Sequence, residues 1–317
     1  MNKKSLGGSS LQVTELCLGT MYFGTKVNPA VSFDLLNHYH EAGGNFIDTS
    51  NNYAFWMGAG TGDESEKVVG RWLKETGLRN QIVLATKVGA RPIYPGAGMD
   101  KLEGLSYQTI IEAVEGSLKR LGTDRIDLYY AHVDWYEYPL EERMKAFDKL
   151  ITEGKILEIG ASNLYPWRYE RSQNLAENEA WAQYCCVQLK HSYLRPKPDA
   201  DFWVQKLISD EWLDYSRNNE NASLIGYSPL LSGAYTTGEI PEEYQTSDND
   251  ERMRVLTELA SDYAVTRNQM VLQWMMHSSK GIIPLIAASK IAQLQENLAV
   301  AGTHIGDEII QELNKAG

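Results

Sequence analysis

Four residues of the 317-residue chain have types and spacing suited to handling a proton: Asp48, Tyr53, Lys87 and His132. Asp48, Lys87 and His132 each end a short apolar run, and Tyr53 follows Asp48 within one loop, in Gly44-Asn45-Phe46-Ile47-Asp48-Thr49-Ser50-Asn51-Asn52-Tyr53. A phenol is a weak acid at neutral pH, with a reference pKa of about 10. A neighbouring ammonium favours the phenolate and lowers that value. In this reading Lys87 is the ammonium, Asp48 holds it in place and protonated, and His132 donates a hydrogen bond to a substrate oxygen. Such a site gives a proton to, or takes one from, an oxygen whose carbon exchanges a hydride. Taken singly, each residue has an ordinary alternative: Asp48 a turn former, Tyr53 a half-buried loop aromatic, Lys87 an ion-pair partner, His132 a satisfied strand-end histidine. Only joint placement on one face of one fold lifts the chemical reading above these.

That placement needs parallel strands whose carboxyl ends converge. Short apolar runs recur along the chain at Glu15–Leu18, Asn45–Ile47, Ile82–Thr86, Ile126–Ala131, Leu157–Ala161, Tyr184–Leu189, Ser223–Tyr227 and Ile282–Ile286. Between several of them lie amphipathic stretches at helical spacing, Phe33–Ala42, Glu64–Glu75, Tyr107–Leu121, Leu140–Glu153 and Asp201–Asn218, and Gly43, Gly77, Gly122 and Gly154 stand just beyond the first four. Two more helices are expected at Ala292–Val300 and Asp307–Asn314. The alternation predicts a single α/β domain over residues 1–317, a (β/α)8 TIM barrel. Lys3–Leu6 and Leu11–Val13 around Gly7-Gly8 predict a β-hairpin plugging one end. In such a barrel the loops after strands form the active face, so the long connections Ala54–Asp63, Arg91–Leu105 and Leu231–Asn249 are expected there as walls or lids, the acidic last one equally a solvated loop.

Composition narrows the function classes. A formal net charge of −12 repels polyanions and argues against a nucleic-acid binder. The cysteines Cys17, Cys185 and Cys186 make neither a disulfide framework nor a metal-ligand spacing, so no metal is expected. No apolar run is long enough to span a bilayer, and the lysines near Met1 precede no apolar segment, which predicts a cytoplasmic protein without a membrane partner. A Gly-x-Gly-x-x-Gly turn after an early strand is also missing.

Ordered segments carry a resemblance: Leu18-Gly19-Thr20-Met21, Phe46-Ile47-Asp48-Thr49 through Tyr53, Glu64-Ser65-Glu66, Ala85-Thr86-Lys87, Ser117-Leu118-Lys119-Arg120-Leu121-Gly122, Asp127-Leu128-Tyr129-Tyr130-Ala131-His132, Gly160-Ala161-Ser162-Asn163, Gln188 and Tyr227-Ser228-Pro229-Leu230. From Leu6 to about Val300 the chain resembles the aldo-keto reductases. The resemblance implies a catalytic tetrad of Asp48, Tyr53, Lys87 and His132, with Tyr53 as general acid. It also implies a nicotinamide cofactor held without a Rossmann domain. Ser162, Asn163 and Gln188 would bond the carboxamide and Tyr227 would stack on the ring; Gly19, Thr20, Met21, Asp48, Ser228, Pro229, Leu230 and Ser232 would complete the site. On residue type alone, Ser162-Asn163 is equally a turn and Tyr227 equally a core aromatic. Ala288-Ser289-Lys290 with Gln293, Glu296 and Asn297 resembles the family's adenosine-phosphate site, with Ala287 where many relatives carry glycine. A helix amino terminus suits a phosphate there, and Lys290 makes NADPH (NADP+) a better fit than NADH; otherwise Ser289 merely caps that helix.

Aromatic side chains just after strands and in the long loops, Tyr22, Phe23, Phe55, Trp56, Trp135 and Tyr136, together with Met57, are expected to wall the substrate mouth. Arg91 reads as a surface ion-pair partner, with a substrate carboxylate as its alternative partner. The expected activity is reversible, NADPH-dependent reduction of an aldehyde or ketone to the alcohol, sugar or polyol carbonyls included, by a chain compatible with a homo-oligomer. The alternatives are a nicotinamide-binding regulatory subunit resembling potassium-channel β subunits, and a barrel isomerase or hydrolase with a substrate phosphate near Ser289.

Overall fold

A computed structural model of the protein describes residues 1–57, 60–94, 96–278 and 281–317; Gly58, Ala59 and Pro95, inside two of the long loops, lie outside them. Strands β1 (Lys3–Ser5) and β2 (Gln12–Thr14) pair antiparallel, with Lys3 opposite Thr14. The next eight are parallel and close into a barrel: β3 (Cys17–Gly19), β4 (Phe46–Asp48), β5 (Val83–Val88), β6 (Ile126–Ala131), β7 (Ile156–Ser162), β8 (Tyr184–Lys190), β9 (Ser223–Tyr227) and β10 (Ile283–Ile286), with β10 pairing both β9 and β3. All eight expected strands are present, with bounds shifted by two residues or fewer at either end.

A strand turns alternate side chains to opposite faces. Phe46, Ala85, Leu128, Tyr130, Cys186, Ile225 and Ile283 fill the barrel interior, while their neighbours Ile47, Leu84, Tyr129, Val187 and Leu224 join the larger core between barrel and helices. The hairpin supplies Leu6, Leu11 and Val13 to the interior cluster and closes the amino-terminal end. Gly7, at φ +55°, sits so close there that a Cβ would fall 2.1 Å from the Cys185 carbonyl oxygen, which is why the turn needs glycine.

Helices cover the barrel at Pro29–Glu41, Glu64–Thr76, Tyr107–Leu121, Leu140–Thr152, Pro166–Glu179, Asp210–Asn218, Ser247–Asp262, Arg267–His277, Ile291–Leu298 and Asp307–Lys315. Gly77 and Gly122 close two of them in the left-handed conformation, as expected. The expected helix over Asp201–Asn218 starts only at Asp210, capped by Ser209. The residues before it instead run beside β8, where Ile208 N donates to the Lys190 carbonyl and Lys190 N to that of Lys206. The segment Leu231–Asn249 is not one open loop: it carries a short helix at Ala234–Thr237, two 3-10 turns and the start of the helix at Ser247. Among the described residues, no helix is long and apolar enough to cross a membrane.

Candidate active site

The strand period positions the site. Counting two residues on from an interior side chain reaches Asp48 after Phe46, Lys87 after Ala85, His132 after Tyr130, Gln188 after Cys186 and Tyr227 after Ile225. Each is therefore the next inward position on its strand, and together they form the top layer at the carboxyl end of the barrel. Gly19 continues β3 into this layer, and a Cβ on it would lie 2.3 Å from Leu285 Cδ2.

Asp48 and Lys87 are both fully buried and form an ion pair through Asp48 Oδ1. Lys87 Nζ also donates to the Thr49 carbonyl at 2.8 Å and to Tyr53 OH at 2.5 Å. Tyr53 OH donates to Asp48 Oδ1 at 3.0 Å, and Gln188 Nε2 to Asp48 Oδ2 at 2.8 Å. The ammonium thus bridges carboxylate, carbonyl and phenol. The ring of His132 lies edge-on to that of Tyr53, with centroids 6.1 Å apart, and its Nδ1 is 3.2 Å from Ser50 Oγ.

Burial, followed by the Asp48 carboxylate, pushes the Tyr53 hydroxyl well above the usual phenol range. The expected lowering by Lys87 is not met: the lysine is in place, yet burial and the Asp48 carboxylate raise the phenol instead. Burial also lowers Lys87, opposed by Asp48, and burial and then Lys87 push His132 well below the usual histidine range. The cluster joins a phenol raised above its usual range, an imidazole lowered below its own and the Asp48–Lys87 ion pair, an arrangement able to deliver a proton to an oxygen.

At the cofactor end the expected residues divide into two sets. Ser162 Oγ donates to the Gln188 carbonyl at 3.0 Å. Asn163, in the left-handed region at φ 57°, gives its amide hydrogens to the His132 carbonyl and Ser162 Oγ, and its Oδ1 accepts from Tyr227 OH at 2.8 Å and Lys206 N at 3.1 Å. Asn163 therefore ties β6, β7 and β9 together at the end of β7. Thr20 is buried, its hydroxyl bonded to the Asp48 carbonyl and Ser65 Oγ, and Met21 is half-buried beside it. After β9, Ser228, Leu231 and Ser232 all have positive φ, a strained run that Pro229 anchors by accepting from Ser192 Oγ at 2.6 Å, with Leu230 half-buried between them.

Beyond β10, Ala287, Ser289 and Lys290 are exposed and Ala288 half-buried at the start of the helix Ile291–Leu298. Lys290, not Ser289, occupies the cap position, and no side chain caps the helix. Ser289 instead donates from N and Oγ to Gln293 Oε1, so the capping alternative fails. Asn297 is buried and donates to the Ala287 carbonyl at 3.4 Å. Glu296 is turned toward the neighbouring helix, where its carboxylate accepts from Thr266 Oγ1 at 2.6 Å and Asn268 Nδ2 at 3.2 Å. Uncapped N–H groups beside an exposed ammonium fit a phosphate.

Among the expected mouth residues, Phe23 is 2% exposed and belongs to the core, so it lines no pocket. Its amide bonds back to Thr20 and it packs under the turn instead of facing out. Tyr22, Phe55 and Trp135 are half-buried, whereas Trp56, Met57 and Tyr136 are exposed. Trp135 Nε1 donates to the Gly89 carbonyl at 2.6 Å. Arg91 is an ion-pair partner, 2.6 Å from Asp63 Oδ1, and also donates to the Asn51 carbonyl. Residue-by-residue reading passed over Glu103, whose Oε1 accepts from Asn51 Nδ2 at 2.9 Å, Gly89 N at 2.7 Å and Arg91 N at 3.3 Å. It fastens the long loop to the strand end bearing Lys87 and to the loop bearing Tyr53, and no local pattern marks it. Ser50 and Asn52 were also passed over, although a Ser-Asn-Asn run between two singled-out residues is a signal of loop hydrogen bonding. Among the described residues, no group of three or more His, Cys, Asp or Glu could hold a metal.

Comparison with known proteins shows the family and the fold. Residues 15–317 match the model of the Aldo/keto reductase family. The chain is 29% identical to a norsolorinic acid reductase of Emericella nidulans, over 96% of this chain and 78% of that one. It is 30% identical to an NADP(+) aldo-keto reductase of Schizosaccharomyces pombe, over 89% and 81%. The solved holo form of aldo-keto reductase AKR11C1 from Bacillus halodurans superposes with a TM-score of 0.77 at 27% identity, covering 100% of this chain and 97% of that one. Barrel, top layer and relatives converge: the chain belongs to the aldo/keto reductase family of oxidoreductases.

Proposed function

We propose that the protein, as a single domain, reversibly reduces the carbonyl of an aldehyde or ketone with NADPH, and that Tyr53 is the proton donor. The observation that carries this reading is the Tyr53 hydroxyl held between Lys87 Nζ at 2.5 Å and Asp48 Oδ1 at 3.0 Å. Lys290 would pair with the 2′-phosphate; Gln188 and the half-buried Tyr227 would flank the nicotinamide, whose bound reduced form supplies the hydride to the carbonyl carbon. Tyr53 turns its O–H from Asp48 to the substrate oxygen and gives up the proton as the C=O π bond breaks. Lys87 then faces the phenolate and offsets its charge, and Asp48 keeps that lysine charged. The NADP(+) named for the fission-yeast relative supports the cofactor.

The exposed rings of Trp56, Tyr136 and Trp167 support a substrate with a flat apolar or ring portion, sugar rings included. The Tyr136 and Trp167 ring centroids lie 6.4 Å apart, and the norsolorinic acid reductase named for one relative supports a carbonyl substrate. The test is fluorescence titration with NADPH and, separately, NADH, using the eight tryptophans as reporters, then a carbonyl screen. Preference for NADPH that is lost in Lys290→Ala supports the reading; binding of neither nucleotide overturns it.

A further inference from the structure

The loop that delivers Tyr53 closes on itself. The chain leaves β4 through Asn51 and Asn52 and comes back past Gly62, at φ +89°, where a Cβ would fall 3.0 Å from Asn52 Cα and 3.1 Å from the Asn51 carbonyl oxygen. Its two ends therefore touch, as in an Ω-loop. One side chain from outside the loop grips both of them. Arg91 donates to the Asn51 carbonyl at 2.6 Å through Nη1 and pairs with Asp63 Oδ1 at 2.6 Å through Nη2, so the guanidinium fork bridges entry and exit. Glu103 Oε1 holds the entry a second time, accepting from Asn51 Nδ2 at 2.9 Å while it also accepts from Gly89 N and Arg91 N. Asn51 N reaches the Lys87 carbonyl at 3.5 Å, and Asn52 Nδ2 donates to the Ala90 carbonyl at 2.9 Å. Each of these links joins the loop bearing the phenol to β5, which bears the lysine, or to the segment that follows β5. The Tyr53 backbone makes no backbone–backbone hydrogen bond among the described residues, so its place is set by its neighbours in the loop.

We propose that Arg91 and Glu103 are positioning residues for the reaction: through Asn51 and Asp63 they fix where the Tyr53 hydroxyl stands against Lys87. This rests on the proton-donor reading of Tyr53 given above. The hydroxyl and the lysine Nζ, 2.5 Å apart, arrive from two different strand ends, and their contact holds only while those ends keep their relative position. A reacting group displaced by about 1 Å costs about a hundredfold in rate even when every catalytic side chain is still present. Asn51 is 1% exposed, so water is kept from replacing the Glu103 link. Arg91 and Asp63 are partly exposed and their pair contributes little to stability, but by holding both ends of one loop it acts on geometry.

The test is kinetics of NADPH-linked benzaldehyde reduction by full-length variants. Arg91→Ala and Glu103→Ala should each lower kcat by about tenfold to a hundredfold, while NADPH affinity read by tryptophan fluorescence stays within about twofold. Because both side chains act on Asn51, the double variant should lose less than the product of the two single losses. Glu103→Gln keeps an acceptor oxygen and should retain most of kcat. Arg91→Lys loses the fork and should fall between the parent and the alanine variant; full kcat there overturns the role of Arg91 even if Arg91→Ala does not fold. Arg79→Ala breaks a comparable pair, 2.8 Å from Asp127 Oδ2 near the amino end of β6, and should lower the denaturation midpoint without lowering kcat. Unchanged kcat in both alanine variants overturns the proposal, as does an equal loss in Arg79→Ala, which would trace the effect to stability alone. Tyr53→Phe with full turnover would instead overturn the proton-donor reading itself, so the two failures are separable.

Discussion

The proton-handling cluster and the helix start at Lys290 are both groups of polar residues at the carboxyl end of one barrel, yet they are built oppositely. Asp48 and Lys87 are fully buried, and each polar atom of the pair is bonded to a named partner. Ser289 and Lys290 stand in solvent, joined to little beyond Gln293. In a dry setting a misplaced charge is costly, so the buried cluster has one geometry and needs no reorganisation when a reaction begins. An exposed lysine contributes modest, salt-screened energy and can adapt to its ligand. The difference teaches that chemistry and nucleotide choice are separable here, and substitutions can pull them apart.

The largest effect expected is on the buried side. Tyr53→Phe should cut kcat by about 10² to 10⁴ while leaving NADPH affinity within about twofold; turnover near the parent value would sink the proton-donor role. Next in size, Lys87→Met leaves Asp48 buried beside Gln188 without its ammonium, and denaturant titration should show a loss of about 3–5 kcal/mol. A loss under about 1 kcal/mol would show that the charge pair does not brace the layer.

A half-buried group away from the cluster sharpens the rule. Burial, and then Arg252, lowers His191 to about 4, where it stacks on Trp274. The unfolded chain binds this proton below about pH 6.5 and the folded chain does not, so stability present above that pH is lost as pH falls toward 4, by up to about 3 kcal/mol. His191→Gln should flatten that part of the stability–pH curve, and an unchanged slope would place its origin elsewhere. The smallest effect belongs to the exposed side: Lys290→Ala should weaken NADPH by about tenfold, leave NADH unchanged and not alter kcat at saturation. Equal weakening of both nucleotides would break the assignment of Lys290 to the 2′-phosphate.

Much of this architecture was legible because strands alternate. Two-residue steps along β4, β5 and β6 lead from Phe46, Ala85 and Tyr130 to Asp48, Lys87 and His132, and no tertiary knowledge is needed to place them on one face. Helices were legible only where burial has one apolar face. Pro166–Glu179 was missed because its buried side is polar: Arg168 pairs with Asp134, and Gln173 bonds the backbone of Tyr184. Arg267–His277 was missed for the opposite reason, since Asn268 and the run Met270–Met276 are buried and leave little polar face to reveal a period. Phe23 was assigned to the mouth by its nearness to a strand end, but whether an aromatic faces a cleft or a core depends on the turn that carries it.

By itself the sequence determined the closed parallel barrel, the top layer of inward residues and the family, because those follow from side-chain period and from ordered motifs. Only the tertiary structure decided the protonation of that layer. Burial raises the Tyr53 phenol and lowers the His132 imidazole, and both shifts depend on how much water the surrounding chain excludes. The bonds that orient the layer, from Glu103, Asn52, Ser50 and Asn163, likewise join residues far apart in the chain or set in irregular loops, where residue type does not say which partner will be met.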